Sequence, residues 1–472
     1  MTSDTMLTLS EAAVALRTGE TTSVGLVQNA IAVADAHDDA VGMFIDRYTD
    51  RALAAATAAD ADLAAGRLVG PLHGLPLGIK DIITTADGPT TAQSLVHDPS
   101  SFTGDAVVVQ RLKQAGGIIM GKLTTMEFAI GAPDETKPFP VPRNAWSLDH
   151  WAGGSSSGSG SSVALGAVLG ALGTDTGGSI RIPAAFNGIT GLMPTYGRVP
   201  KSGCVPLGFT LDHIGPMARS AEDCALMLDV LAGPDSSDPT TLDVPVADYS
   251  GALTGDLTGL KIGVDKLARV AGDDADPALD QAWNAALEVL AGRGAEIVGM
   301  EIPYYQAMAT ADFVNMLGEA LAYHLPDLQA KWSDYGAATR LILAQGAFYS
   351  AADYVQAARA RRVGVRAITD LFSTVDVIAT PTASTGATSF ADLDSRGVVR
   401  AMSAIHTGYW DSTGNPVLTV PFGFTGPGLP LGLQFAGRPF DEATLLRIGD
   451  AFQSVTDFHL QAPALLDQEL AA

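Results

Sequence analysis

Lysine is scarce in this chain. Only eight of its 472 residues are lysine (positions 80, 113, 122, 137, 201, 261, 266 and 331), and the rest of its 28 basic residues are arginine. Set against 52 acidic residues they leave a net charge of −24. Such a surface repels phosphate backbones and anionic lipids, so nucleic acid and membranes are excluded as charge-driven partners. Cysteine is scarcer still. Cys204 and Cys224 form neither a disulfide framework nor a CxxC pair and fit a reducing compartment. Long apolar runs are missing: the most apolar stretch, 163–173, falls well short of the ~20 residues that span a bilayer. No basic segment precedes an apolar one near Asp4 and Glu11, so no signal peptide is read and the expected location is the cytoplasm. HExxH and CxxC are absent, so neither a metal nor another cofactor is expected. Charged residues make up only 17% against 47% apolar, which excludes disorder.

Glycine is what the chain has in excess, with 51 residues, and that asks for tight turns or close backbone approach. Helix-like and strand-like stretches alternate along most of the length, as in an α/β chain. Helices are expected from Glu11 behind a Ser10 cap, from 22 or 23 through 36, over 48–65, and from 105 to the Gly116-Gly117 pair. Strand-like runs occupy 71–83 and 118–120. Residues 153–162 are almost wholly Gly and Ser, and an alanine- and leucine-rich helix is expected after them, over 163–172. Beyond residue 215 the expected strands are 260–264, 296–302, 375–380, 416–424 and 430–436, and the helices 221–231, 276–292, 351–372 and 442–455. The Asp-, Ser-, Pro- and Thr-rich stretch 234–258 reads as a surface connection and is the one plausible internal boundary. The Gly/Ser run has linker composition, yet a linker between two closely spaced apolar elements would break the sheet in its middle.

Lys80 stands inside an apolar run, after Leu75, Leu77 and Ile79 and before Ile82 and Ile83. Lysine is rarely buried; where it is, desolvation lowers its pKa and makes a neutral amine available as a base. The alternative is a strand-end lysine paired with Asp81 or snorkelling to water. The Gly/Ser loop satisfies neither the P-loop nor the dinucleotide fingerprint. Gly154-Ser-Ser156-Ser-Gly158 matches the GxSxG nucleophile elbow, but no apolar strand precedes it as an elbow requires. Asp175-Thr-Gly-Gly-Ser179-Ile-Arg181 surrounds a serine with free N–H groups, which suits an oxyanion hole, or is a glycine turn entering a strand. Asp175 and Arg181 can pair across that turn, a contact of little value at a surface. The eight histidines are scattered, and none is placed as a base for these serines. A lysine can activate a serine nucleophile in their stead.

In that order, Gly78-Ile-Lys80-Asp81, Gly153-Gly-Ser155-Ser-Ser-Gly-Ser159 and Gly173-Thr-Asp-Thr-Gly-Gly-Ser179-Ile-Arg-Ile-Pro183 resemble the amidase signature enzymes. Supporting stretches are Gly70-Pro-Leu-His-Gly-Leu-Pro76, Thr125-Met-Glu-Phe-Ala129, Asp212-His-Ile-Gly-Pro-Met217 and, near the C-terminus, Gly414-Asn-Pro-Val417 with Gly432-Leu-Gln-Phe-Ala-Gly437. The resemblance spans roughly residues 8 to 460. It implies one α/β domain over 1–472, a large mixed central sheet covered by helices on both faces. The signature core would lie at about 70–220 and a variable helical pocket region at about 304–350. It further implies a Ser–cis-Ser–Lys triad: Ser179 as nucleophile, Ser155 as the bridging serine after a cis peptide, and Lys80 as base. Backbone N–H groups of Thr176, Gly177, Gly178 and Ser179 would hold the oxyanion, with Gly154, Ser156, Asp175 and Arg181 in support. Ser157 departs from the family's usual glycine, and Ala152 from its frequent proline.

The function implied by this resemblance is hydrolysis of carboxylic amides through an acyl-enzyme, with aryl carbamates or esters as alternative substrates of the same chemistry. A glutaminase-type subunit of a tRNA-dependent amidotransferase is a further alternative. It is disfavoured because no counterpart of that subunit's tyrosine- and arginine-rich substrate loop appears after residue 300. Pocket lining is expected in 126–133, 201–210 and 304–350, and Met126, Phe128, Ile130 and Cys204 are the residues assigned to it. The expected partner is a small amide or carbamate, and the default assembly a homodimer.

Overall fold

The computed structural model describes residues 7–271, 275–393 and 402–467. Its centre is one sheet of eleven strands: β1 (Phe44–Arg47), β2 (Pro76–Lys80), β3 (Ile118–Leu123), β4 (Gly170–Asp175), β5 (Thr190–Met193), β6 (His213–Ala218), β7 (Lys261–Val264), β8 (Glu296–Gly299), β9 (Val377–Pro381), β10 (Val417–Phe424) and β11 (Pro430–Gly437). Across the sheet their order is β1-β3-β2-β4-β6-β5-β10-β11-β9-β7-β8. β2 runs parallel to both β3 and β4, and β7 parallel to β8 and β9, while the remaining pairs are antiparallel. The strands after the 234–258 connection therefore hydrogen-bond into the sheet that precedes it.

Side chains alternate across β3, and the two cores follow that alternation. Ile119 packs with the helices Leu9–Thr18, Val107–Gln114 and Ala221–Leu231. Its neighbours Ile118 and Met120 pack on the other face, with Ser23–Val41, Thr49–Ala64 and Ser157–Leu165. The later expected elements fall close to their places: Ala221–Leu231, Ala278–Gly292, Ala351–Leu371 and Glu442–Gln453 are helices.

Two local expectations and one alternative reading are corrected. The first helix starts at Leu9, capped by Thr8 rather than Ser10. Thr8 Oγ1 accepts the N–H of Glu11, and Glu11 Oε2 accepts that of Thr8, the reciprocal pair that satisfies two orphan helix donors. Second, the helix expected over 163–172 runs instead over Ser157–Leu165, and the residues Gly170–Asp175 are strand β4. The Gly/Ser run thus forms most of the helix, wholly buried. Its small residues are a packing requirement: a Cβ on Gly158 would come within 2.3 Å of the Met43 carbonyl oxygen and 2.6 Å of the Thr124 nitrogen. Its hydroxyls find backbone acceptors nearby, Ser157 Oγ donating to Gly153 O at 2.6 Å and Ser159 Oγ to Leu172 O at 3.0 Å. Third, the glycine turn at 176–178 leads into the helix Arg181–Asn187 and not into a strand.

Candidate active site

The carboxyl ends of the parallel strands β2 and β4 lie side by side, the usual position for a site in an α/β sheet. Lys80 closes β2, and Thr174 and Asp175 close β4. Ser155 and Ser179 each stand two residues ahead of a helix, Ser157–Leu165 and Arg181–Asn187.

Lys80 is fully buried, and its Nζ donates to Ser155 Oγ at 2.7 Å and to Thr174 Oγ1 at 2.7 Å. Burial lowers its pKa to about 7, against the pull of Asp175 and Asp212, so near neutrality the amine is available without its proton. It does not pair with Asp81. That carboxylate faces a second fully buried lysine, Lys122, at 3.4 Å, and Lys122 also donates to Thr90 Oγ1 at 2.7 Å and to the carbonyl of Ile83. Lys122 carries in the sequence the same signal as Lys80, a lysine inside an apolar strand, Ile118–Leu123, and is the buried cation that the reading of the motifs passed over.

The Gly154–Ser155 peptide bond is cis. The Ser155 carbonyl accepts the N–H of Met126 at 3.1 Å, and the N–H of Ser156 donates to Ser179 O at 3.1 Å, so the two serine loops are tied by their backbones. Ser156 Oγ donates to Thr174 O at 3.2 Å and accepts from Thr174 N at 3.1 Å. A hydroxyl held by both ends of one residue is a strut of β4. No histidine hydrogen-bonds Ser155 or Ser179 among the described residues. His213, whose Nδ1 lies 3.3 Å from Asp175 O, is brought down to about 4 by burial and stays neutral.

The Asp175–Arg181 pair expected at a surface is fully buried. Arg181 Nε meets Asp175 Oδ2 at 3.0 Å and Nη2 meets Oδ1 at 3.1 Å, while Nη2 also reaches Asp411 Oδ2 at 2.5 Å. Burial alone would raise Asp175, but the guanidinium holds it at about 2. The ionised carboxylate then organises the turn, accepting the N–H of Gly178 at 2.5 Å and of Ile180 at 3.1 Å. The Gly178 N–H, one of the expected oxyanion donors, thus already has a partner. The residue's φ of +126° and a Cβ position 2.1 Å from Thr407 Oγ1 leave room only for glycine. Thr407 Oγ1 braces the same turn by donating to Gly177 O at 2.6 Å. The amides of Thr176, Gly177 and Ser179 donate to no protein acceptor among the described residues.

Ser155, Ser179, Thr176 and Gly177 border a cavity of about 480 Å³. Of the residues assigned to the pocket, Met126 and Ile130 line it. Phe128 does not: at φ +50° it turns into the core, its ring 4.4 Å from that of His324. Cys204 does not either; it borders a second cavity of about 290 Å³ that shares Ala129, Thr176 and Leu207 with the first. There burial pushes its thiol up to about 12, which leaves it unreactive. Phe313 and Met316, from the helix Tyr305–Ala330, face the main cavity, whereas Phe348 is 86% exposed. Trp151, Asp312 and Thr407 border it too, without any motif that marks them in the sequence. Asp312 and Thr407 reach the site from segments more than 130 residues away from Ser179, beyond the range of any local pattern.

Known proteins resemble the chain over nearly its whole length. The amidase family profile matches residues 25–446. The chain is 42% identical over 482 residues to a glutamyl-tRNA(Gln) amidotransferase subunit from Roseiflexus sp. (strain RS-1), covering 97% of this chain and 98% of that one. Among solved structures, a chain of a vestigial protein complex described for the origins of an s-triazine catabolic enzyme superposes with a TM-score of 0.87 at 32% identity, over 95% of this chain and 98% of that one. The peptide amidase from Stenotrophomonas maltophilia superposes with a TM-score of 0.81 at 29% identity, over 95% and 96%.

Proposed function

The chain belongs to the amidase signature family of hydrolases, and on that premise we propose that it cleaves linear carboxylic amides through a Ser179–Ser155–Lys80 relay. The observation that carries this is the 2.7 Å hydrogen bond from Lys80 Nζ to Ser155 Oγ, beside a cavity that both Ser155 and Ser179 border. Neutral Lys80 takes the proton of Ser155 as Ser155 takes that of Ser179, and Ser179 Oγ attacks the amide carbon. The negative charge that develops on oxygen is held by N–H groups of Thr176, Gly177 and Ser179, which an ionised Asp175 keeps oriented by occupying Gly178 and Ile180. The relay then returns a proton to the leaving nitrogen, and water hydrolyses the acyl-enzyme.

The cavity supports an apolar substrate, with Met126, Ile130, Trp151, Ile182, Leu207 and Phe313 on its walls. Aryl carbamates and esters would use the same relay and rank behind amides. A second reading, a glutaminase subunit working with partner chains, is favoured by the 42% identity to an amidotransferase subunit. Labelling with a fluorophosphonate, located by mass spectrometry, tests the nucleophile: modification of Ser179 is expected, and modification of Ser156 alone would overturn the assignment. Comparing kcat/KM for anilides, aliphatic amides, aryl carbamates and glutamine on the isolated chain ranks the substrates.

A further inference from the structure

Asp312 is the one acidic or basic side chain bordering the main cavity among the described residues. It projects from the helix Tyr305–Ala330 and is only 4% exposed, yet its Oδ1 has no hydrogen-bond partner. A buried carboxyl oxygen without a partner is costly, and native interiors rarely keep one unless something completes it. Its other oxygen leans over the catalytic turn. A Cβ on Gly177 would lie 3.4 Å from Asp312 Oδ2, and one on Gly408 3.3 Å. Asp312 therefore stands beside the backbone that would hold the substrate carbonyl oxygen, and a group meeting it belongs within a bond or two of the scissile carbon.

We propose that Asp312 receives an α-ammonium group on the acyl side of the substrate, so that the preferred substrates are amides of α-amino acids with an apolar side chain. This rests on the amide hydrolysis proposed above and names its substrate class. Among the described residues the cavity offers one carboxyl group, which fits the ammonium of an amino-acid amide. The apolar walls take the side chain, and the net charge of −24 draws cations towards the mouth. Burial raises the Asp312 pKa and Asp175 and Glu319 add to that, while Arg361 and Arg181 pull it back. An ammonium seated against it acts in the same direction as those two arginines.

The test uses two amides of equal bulk, L-leucinamide and 4-methylpentanamide, which differ only in the α-amino group. The wild-type chain is expected to favour leucinamide by roughly tenfold or more in kcat/KM, and D312N to collapse that ratio through KM. A wild-type ratio near one, or a ratio that D312N leaves intact, overturns the proposal. Should D312N fail to fold, calorimetric titration of the wild-type chain with 3-methylbutylamine and with 3-methylbutan-1-ol decides. The amine must bind at least about tenfold tighter, and equal binding overturns it. If neither amide is cleaved and Ser179 resists the fluorophosphonate, the amidase reading fails, and the titration still answers for Asp312 separately.

Discussion

Lys80 meets two hydroxyls, Ser155 Oγ and Thr174 Oγ1, where most buried lysines meet a carboxylate. With no ion pair to hold its proton, desolvation dominates and the pKa falls to about 7. The proposed relay needs the neutral amine, so kcat/KM is expected to rise with pH through about 7 and to fall about tenfold per unit below that. A profile flat from pH 5 to 9 would remove Lys80 as the base. Ser179→Ala should lower kcat by at least about 10³-fold while leaving the denaturation midpoint unchanged. Lys80→Ala should be comparably inactive, and added alkylamines give a direct check on whether the missing amine is what was lost. At this scale the sequence was informative in one direction only. Lysine scarcity and the apolar neighbours of Lys80 mark it, but the partner that decides its chemistry is Ser155, 75 residues away. The alternative, a pairing with Asp81, fails because Asp81 turns to Lys122, which the parallel register of β2 and β3 brings near it.

Two elements carry the loops that hold the serines. The helix Ser157–Leu165 is built of small residues because it is wholly buried, with backbone from residues 43 and 124 against Gly158. Gly158→Val should therefore cost about 1–3 kcal/mol or more in urea denaturation, since carbonyl and amide atoms cannot move aside as a flexible side chain would. The ends of β2 and β3 are joined by the buried Asp81–Lys122 pair. Lys122→Met should lose about 3–5 kcal/mol by leaving Asp81 uncompensated, and the double change with Asp81→Asn should recover part of it in a double-mutant cycle. Helix and strand positions after residue 215 were largely legible from periodicity. The misplaced helix at 163–172 was not, because serine and glycine have low helix propensity and linker-like composition. Complete burial, with hydroxyls bonded to nearby backbone and to β4, is what makes that sequence helical.

For the whole molecule, an acidic chain with an apolar cavity is expected to favour small neutral or cationic substrates over polyanions. No helix among the described residues is long and apolar enough to cross a membrane, and no cluster of three or more metal-ligating side chains is found among them. The isolated chain is expected to turn over apolar amides after exhaustive dialysis against EDTA and without any added subunit. Loss of activity on chelation, or turnover that appears only with a partner, would count against the lysine relay or for the glutaminase alternative respectively. By itself the sequence determined the family-like motif order, the α/β class, the acidic surface and three candidate residues, Lys80, Ser155 and Ser179, because short motifs and local apolar patterning survive in one dimension. Tertiary structure alone decided that Gly178 is spent on Asp175, that Asp175 and Arg181 are buried, that Phe128 and Cys204 lie off the main cavity, and that Asp312 faces it. Each of these depends on contacts that only folding creates, and burial, which sets both pKa and hydrogen-bond demand, is a property of the packed molecule and not of any stretch of chain.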